Sequence, residues 1–200
     1  HYNNCWALLT EANNNRNYCA THLTNVNHNE LYEVTYPHKE EGNGIGSTYS
    51  TALSPWTSPW RVIILGELKN IVESTLVEDV SDPCLLTETD WIQPGPASWI
   101  YWAYNHGTKD YKTCCEYVDL AATMHWKYVL FDWEWDQMQN GGTLSDAARY
   151  ATSKGIKPLI WYNSGGKHNR VLSTPRDRLI TTENRNREFK KLKEMGFSGI

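Results

Sequence analysis

From Ala97 onward, apolar strand-like runs alternate with helical stretches, and this rhythm restricts the fold more than any other feature of the chain. The run "SWIYWAYN" reads as a strand. Asp110 is placed to cap a helix in which Tyr111, Cys114, Val118 and Ala122 recur at spacings of three and four. "KYVLFDW" is a continuous apolar run, the pattern of a strand covered on both faces. Ser145 is placed to cap a helix over "DAARYATSK", and Gly155 stands where a helix end calls for a left-handed residue. "KPLIWYN" is the third strand, with Pro158 tolerable near its start. Thr182 and Glu183 open a third helix, with Phe189, Leu192 and Met195 as its buried stripe and Gly196 at its end. "FSGI" then begins a fourth strand. Such alternation predicts an α/β fold with a parallel sheet and right-handed crossovers.

Two architectures satisfy that pattern, a closed (β/α)8 TIM barrel and an open doubly wound sheet. No GxGxxG or GxxxxGK[ST] motif follows a strand, so the nucleotide-binding form of the open sheet loses ground. A barrel typically takes about 250 residues. Residues 97–200 supply only its first half. Half a barrel leaves an open sheet edge, so the expectation is a longer polypeptide. The chain before Ala97 has another texture. Residues 1–66 are rich in Asn and Thr, and "CWALLTEA", "ELYEVTYP" and "WRVIIL" read as strands between the turn clusters "NNNRN" and "EGNGIGS". Residues 67–96 read as a linker, with a short helix from Leu68 to Val77 and then Pro83, Pro94, Gly95 and Pro96.

Composition narrows the function. Hydrophobic residues make up 40% and charged residues 21%, which excludes a disordered chain. No apolar run approaches the roughly 20 residues of a membrane helix. No basic-then-apolar leader opens the chain, so a signal peptide is expected to be absent or removed. A net charge of −4 argues against a nucleic-acid partner. Ten Trp and twelve Tyr stand against three Phe. Trp and Tyr join a flat apolar face to a polar handle, which suits the C–H faces and hydroxyl rims of sugars; the alternative is that they fill a core. The five cysteines, Cys5, Cys19, Cys84, Cys114 and Cys115, form no CxxC pair, which disfavours a zinc ribbon. Cys114 and Cys115 read as separate helix thiols, and a Cys5–Cys19 disulfide is open but not deducible.

In barrel enzymes the reacting groups sit at the carboxyl ends of strands. The first end carries Trp99, Tyr101, Trp102 and Asn105; the second Asp132, Trp133, Glu134, Trp135 and Asp136; the third Trp161, Tyr162 and Asn163, followed by "SGG". Residues two apart on a strand share a face, so Asp132 and Glu134 are expected to point at one ligand, with a solvated acidic loop as the alternative. Asp136 is assigned to solvent. Glycoside hydrolysis takes two carboxylates that flank the scissile bond. Asp132 and Glu134 lie on one side, so they are assigned to substrate binding. Among His22, His28, His38, His106, His125 and His168 no HExxH or close ligand spacing occurs, which disfavours zinc. His106 follows the first strand end and is a candidate pocket residue; His168 is a weaker one, and His125 ends a helix. The basic stretch "NRVLSTPRDR" reads as a solvated loop rather than a phosphate site.

With these residues in view, the chain resembles glycoside hydrolase family 97 over essentially its whole length. "ALLTEA", "SPWRVIILG" and "LVES" are similar to the end of that family's N-terminal β-super-sandwich. "WIQPGPASWIYW" resembles the entry into its barrel, and "YVDLAATMHWKYVLFDWEWD", "GIKPLIWYNSGG" and "NREFKKLKEMGFSGI" resemble successive barrel segments in order. The resemblance implies an α-glycosidase with calcium near its active site, inverting in some members (chiefly α-glucosidases) and retaining in others (chiefly α-galactosidases). It places the retaining nucleophile after the fourth strand and the acid/base later, both beyond Ile200, so no catalytic residue is assigned within this chain. Glu11 resembles the N-terminal-domain glutamate that helps hold the calcium, with the other carboxylates beyond residue 200. Trp102, Asp132, Trp133 and Asn163 match strand ends that shape the sugar pocket of related barrels, and with Glu134 and His106 they form the expected substrate-binding set. "FDWEWD" departs from the acidic pair of related α-galactosidases by placing Trp133 between Asp132 and Glu134. The implied protein is a periplasmic or extracellular bacterial enzyme acting on terminal α-linked glucose or galactose of oligosaccharides, with "WYNSGG" leaning toward the retaining branch. A non-catalytic carbohydrate-binding protein is the alternative. Trp102, Asp132 and Asn163 are expected to gather around one hexose-sized hollow, and residues 1–200 alone are expected to be inactive and aggregation-prone.

Overall fold

The computed structural model describes residues 4–15, 18, 20–26 and 31–200. Cys19 and His28 lie outside the described residues, and the Cys5–Cys19 pairing with them. The chain divides into two compact units, residues 1–89 and 90–200.

The first unit is antiparallel. It contains β1 (Trp6–Ala12), β2 (His22–Val26), β3 (Leu31–Thr35) and β4 (Trp60–Gly66). β1 pairs with β4, Trp6 opposite Gly66 and Ala12 opposite Trp60, and β2 pairs with β3. Ala12 and Val62 are buried, whereas Leu9, Ile63 and Leu65 are exposed. Two-stranded ladders bury little apolar surface by themselves. The expected helix from Leu68 to Val77 is two pieces, α1 (Leu68–Glu73) and α2 (Leu76–Asp79), which pack on β1 and β4. Ser74 separates them. Its backbone is extended, and its Oγ accepts a hydrogen bond from the Leu76 amide at 3.3 Å, a local competition typical of serine.

The second unit holds three parallel strands in sequential order, β5 (Ala97–Trp99), β6 (Tyr128–Phe131) and β7 (Lys157–Ile160). Three helices follow them in turn: α3 (Tyr111–Thr123), α4 (Leu144–Ser153) and α5 (Thr182–Glu194). After α5 the chain returns alongside β7. Gly199 bridges Leu159 in parallel, and the Ser198 amide donates to the Pro158 carbonyl at 2.9 Å. The "FSGI" segment therefore takes the next position in strand order.

One core unites the helices with one sheet face. Val129, Phe131 and Ile160 meet Cys114, Val118 and Ala121 of α3, Ala147 and Ala151 of α4, and Leu192 of α5. Fully buried alanines let α4 approach the strands closely. Burial pushes the Cys114 thiol up to about 12, so it serves as a packing group. Trp99, Leu130 and Leu159 occupy the opposite sheet face and are only partly buried.

Local details depart from the sequence expectations for identifiable reasons. β5 is three residues long; Ile100–Trp102 then turn as a 3-10 segment. The turn buries Ile100 against Gly107, where a Cβ would meet the Ile100 side chain at 2.4 Å. The cap of α4 is Thr143 rather than Ser145. Thr143 Oγ1 accepts from the Asp146 amide, and the Asp146 carboxylate accepts from the Thr143 amide at 2.9 Å, forming a capping box. In α5 the cap is Thr181, and Glu188 is buried where Phe189 was expected. Tyr162 Oη donates to Glu188 at 2.8 Å, and Arg178 stands 3.9 Å from the same carboxylate oxygen. These partners draw a charged residue into the stripe and leave Phe189 exposed. Burial, then the Glu188 contact, raises the Tyr162 hydroxyl above its ordinary range.

The two cap assignments are separable. Thr143→Ala should lower stability by about 1 kcal/mol in denaturant titration, while Ser145→Ala should change it by less than about half of that.

Candidate functional site

Parallel strands joined by right-handed crossovers bring all their carboxyl ends to one edge. The loops after β5, β6 and β7 meet there. Asp132, the first residue past β6, is 5% exposed. Its Oδ2 accepts from the Trp99 indole Nε1 at 2.5 Å, and its Oδ1 accepts from the Trp133 amide at 2.6 Å. Each carboxylate oxygen has a second lone pair, so Asp132 retains accepting capacity at the partly buried sheet face.

Trp99 also organises the neighbouring rings. Tyr101 stacks on it with centroids 5.6 Å apart, and Trp102 lies 5.1 Å away on a tilted plane. Tyr101 meets Trp133 edge-on at 6.4 Å, and Trp133 meets His106 at 4.9 Å. Five rings thus run in sequence, Trp102, Trp99, Tyr101, Trp133 and His106. Trp102 is 82% exposed and presents an open ring face. Aromatic faces of this kind complement apolar C–H surfaces, and their N–H and O–H groups complement hydroxyls.

Asp132 and Glu134 do not converge on one point. The strand ends at Phe131, and Glu134 takes a left-handed backbone conformation (φ 66°). Alternation of side chains holds only while the backbone stays extended. The Glu134 carboxylate instead meets His106 Nδ1 at 2.6 Å and Lys109 Nζ at 2.8 Å. Burial pushes its pKa up, but hydrogen bonds and charge from Lys109 and His106 outweigh burial and hold it below the ordinary 4.5. Lys109 had no sequence signal, because the contact spans two crossover loops.

Asn163 stands just past β7 and is 4% exposed. Its Nδ2 donates to the carbonyls of Val171 and Ser173 at 3.2 and 3.1 Å, and its Oδ1 accepts from the Gly165 amide and Asn169 Nδ2 at 3.1 and 3.0 Å. An amide side chain offers two donors and two acceptor lone pairs, so this one is fully engaged in its own loop. Its polar atoms therefore do not reach Trp102 and Asp132, which are linked to each other through Trp99.

The basic stretch keeps Arg170, Val171, Leu172 and Asp177 exposed, as expected of a solvated loop, but Arg176 and Arg178 are pinned, and the exposed Asp136 is paired as well. Arg176 donates to the carbonyls of Gly166 and Asn169 at 2.6 and 3.2 Å. Arg178 reaches Asp136 at 3.1 Å and lies over the Trp135 ring at 5.1 Å. Thr174 Oγ1 donates to Asp136 at 2.9 Å. His125 ends α3 in a left-handed conformation (φ 56°), and His168 sits in an exposed 3-10 turn.

In the first unit, Glu11 is surrounded by donors. Tyr18 Oη and Thr21 Oγ1 donate to its Oε1 at 3.0 and 2.7 Å, the Thr21 amide donates to Oε2 at 3.3 Å, and Arg61 Nε lies 3.8 Å away. Burial, then the hydrogen bond to Glu11, raises the Tyr18 pKa. Among the described residues no group of three or more His, Cys, Asp or Glu is arranged to hold a metal. Calcium takes six to eight oxygen ligands, so Glu11 with a guanidinium beside it does not make a calcium site by itself.

Comparison with known proteins puts a class to this arrangement: its relatives are glycoside hydrolases. Residues 1–83 match the family described as Glycosyl-hydrolase 97 N-terminal. A probable retaining α-galactosidase of Streptomyces bingchenggensis is 26% identical over 185 residues, covering 86% of this chain and 27% of the relative. A retaining α-galactosidase of Bacteroides thetaiotaomicron is 26% identical over 123 residues, covering 54% of this chain and 19% of the relative. The crystal structure of a β-arabinopyranosidase superposes with a TM-score of 0.87 at 33% identity, over 98% of this chain and 31% of its own. A family 97 enzyme of Pseudoalteromonas sp. strain K8, solved with panose, shares the fold at 16% identity and a TM-score of 0.69, over 98% of this chain and 31% of its own. The chain thus spans less than a third of these relatives' lengths. Residues 1–83 thus carry the family 97 N-terminal domain that its motifs indicated.

The Glu134 ion pairs carry a pH signature. A carboxyl whose folded pKa is depressed adds stability that is present above its unfolded pKa and lost as pH falls through the folded one. Unfolding of wild type and Glu134→Gln should therefore differ at neutral pH and converge below the ordinary glutamate pKa of 4.5. Thermal melts of both proteins between about pH 3 and 7 would measure this.

Proposed function

We propose that the full-length protein is a retaining glycosidase that removes a terminal sugar with a galactose-type ring, α-galactose or β-L-arabinopyranose, from oligosaccharides. Those two sugars share stereochemistry at C1 to C4 and differ by the exocyclic CH2OH group. The reading is supported by relatives of both kinds, retaining α-galactosidases and a β-arabinopyranosidase. One observation carries it to this chain: Asp132 is buried at the sheet's carboxyl edge and bonded to Trp99, whose ring lies 5.1 Å from that of the exposed Trp102. That pairing supplies a hydroxyl acceptor next to a surface for a sugar's C–H face.

On this reading residues 97–200 begin a (β/α)8 barrel, and the antiparallel first unit belongs to the β-super-sandwich that precedes it. Sequential parallel strands sharing one core with all three helices support a barrel, since a doubly wound sheet carries helices on both faces. The two carboxylates that break the glycosidic bond lie beyond residue 200, and this chain's part is to bind and orient the sugar. A periplasmic or extracellular location belongs to the same proposal.

Calcium is also part of it. Carboxylates from beyond residue 200 would join Glu11, which would exchange its contacts with Arg61 and Tyr18 for the ion. Chelator treatment of the full-length enzyme should then abolish most activity, and added Ca²⁺ should restore it. Unchanged activity in chelator would remove calcium from the scheme.

For the substrate, nitrophenyl α-galactoside and β-L-arabinopyranoside should both be turned over at least about tenfold faster, by kcat/KM, than nitrophenyl α-glucoside. NMR should show galactose released first as the α-anomer. A preference for α-glucoside, or β-galactose as the first product, would overturn the reading. Saturable sugar binding without turnover would favour a non-catalytic carbohydrate-binding protein instead.

A further inference from the structure

Glu134 was expected to touch the sugar, and its surroundings leave it little room to do so. It is 8% exposed, and its two carboxylate oxygens are taken by His106 and Lys109 at 2.6 and 2.8 Å. Its backbone is equally committed. The amide donates to the Thr174 carbonyl at 2.6 Å, and its own carbonyl accepts from the Gln137 amide at 2.9 Å. A glutamate at φ 66° is in a region that non-glycine residues seldom occupy, at a cost of order 1 kcal/mol or more, and persists where surrounding contacts over-determine it. Those contacts come from three loops: His106 and Lys109 after β5, Glu134 itself after β6, and Thr174 after β7.

Trp133 is the side chain this junction governs. Its indole Nε1 donates to the Asn105 carbonyl at 2.5 Å, and the His106 ring lies 4.9 Å from its centroid. Asn105 and His106 belong to the loop that the Glu134 carboxylate holds. Tyr101, the other ring against Trp133, stacks in turn on Trp99. A shift of the post-β5 loop would therefore move the acceptor of the Trp133 N–H and its ring partner together.

We propose that Glu134 is a positioning residue, which clamps the loop after β5 to those after β6 and β7 and thereby sets the orientation of Trp133 in the sugar-binding wall. This rests on the proposed glycosidase reading for its functional consequence, though not for its geometry. The clamp acts on binding and not on bond breaking. Its loss should weaken the bound sugar and the transition state alike, which raises KM and leaves kcat nearly unchanged.

A double-mutant cycle in the full-length enzyme tests it. Glu134→Gln and His106→Phe should each raise KM for the preferred nitrophenyl glycoside by about tenfold, with kcat within about twofold of wild type. The double variant should be no worse than Glu134→Gln alone, because that change already breaks the link to His106. Multiplying losses, or a fall in kcat at constant KM, would show that Glu134 meets the sugar directly and would overturn the proposal. The Trp133 contribution to fluorescence, taken as each protein minus its Trp133→Phe counterpart, gives a readout that needs no turnover. It should shift to longer wavelength and become more strongly quenched by iodide in Glu134→Gln; an unchanged signal would also overturn the clamp. If wild type cleaves and binds no glycoside while the Trp133 signal changes as expected, the clamp stands and the glycosidase reading falls. Lys109→Met, at the rim of the junction, gives the same comparison should Glu134→Gln fail to fold.

Discussion

Parallel pairing of β5, β6 and β7 over a single apolar core is the constraint on which the second unit depends. Parallel neighbours cannot be joined by a hairpin, so each strand must be followed by a crossover. Here each crossover is a helix whose buried positions are mostly small or slim: Cys114, Val118 and Ala121, then Ala147, Ala148 and Ala151 beside Leu144. Slim contacts keep the helices near the strands and allow Val129, Phe131 and Ile160 to fill the space between. Every strand then ends at the same edge, and the polar, aromatic loops are gathered there.

Within that edge, charge is neutralised before it is exposed. Glu134 is held between Lys109 and His106, and Asp136 between Arg178 and Thr174. Arg178 also lies near Glu188 and over Trp135. Breaking the buried Glu134 pair leaves an uncompensated charge in a poorly solvated place, which costs more than the pair contributes. Asp132 differs, because its partners are neutral N–H groups from Trp99 and Trp133. Among the acids at this edge it is the one that combines burial with neutral donors, the condition under which a carboxylate keeps an acceptor for a hydroxyl.

The regular elements were legible where a local rule decided them. Asp110 caps α3 through the Thr113 amide at 2.9 Å, and Gly155 and Gly196 take positive φ at the helix ends. The three parallel runs appear in the order read. Misplacements occurred where two local signals competed. Thr143 and Ser145 are both good caps, and only Thr143 has Asp146 at the reciprocal position. The aromatic run after Ala97 favours a strand by composition, yet close packing of Ile100 on Gly107 turns it. β2 escaped notice because "HLTNV" is short and mixed in polarity.

The amino-acid sequence by itself determined the alternation of strand and helix, the clustering of Trp and acid at strand ends, and through its ordered motifs the family. Those are properties of spacing and residue type along one chain. Tertiary structure alone decided which acid faces which partner: Asp132 with Trp99, Glu134 with Lys109 and His106, Glu188 with Tyr162, and Asn163 with its own loop. The physical reason is that a side chain's direction follows from its backbone dihedrals and neighbours. Once Glu134 leaves the extended conformation, residues two apart no longer share a face, and the contacts that set their roles come from loops remote in sequence.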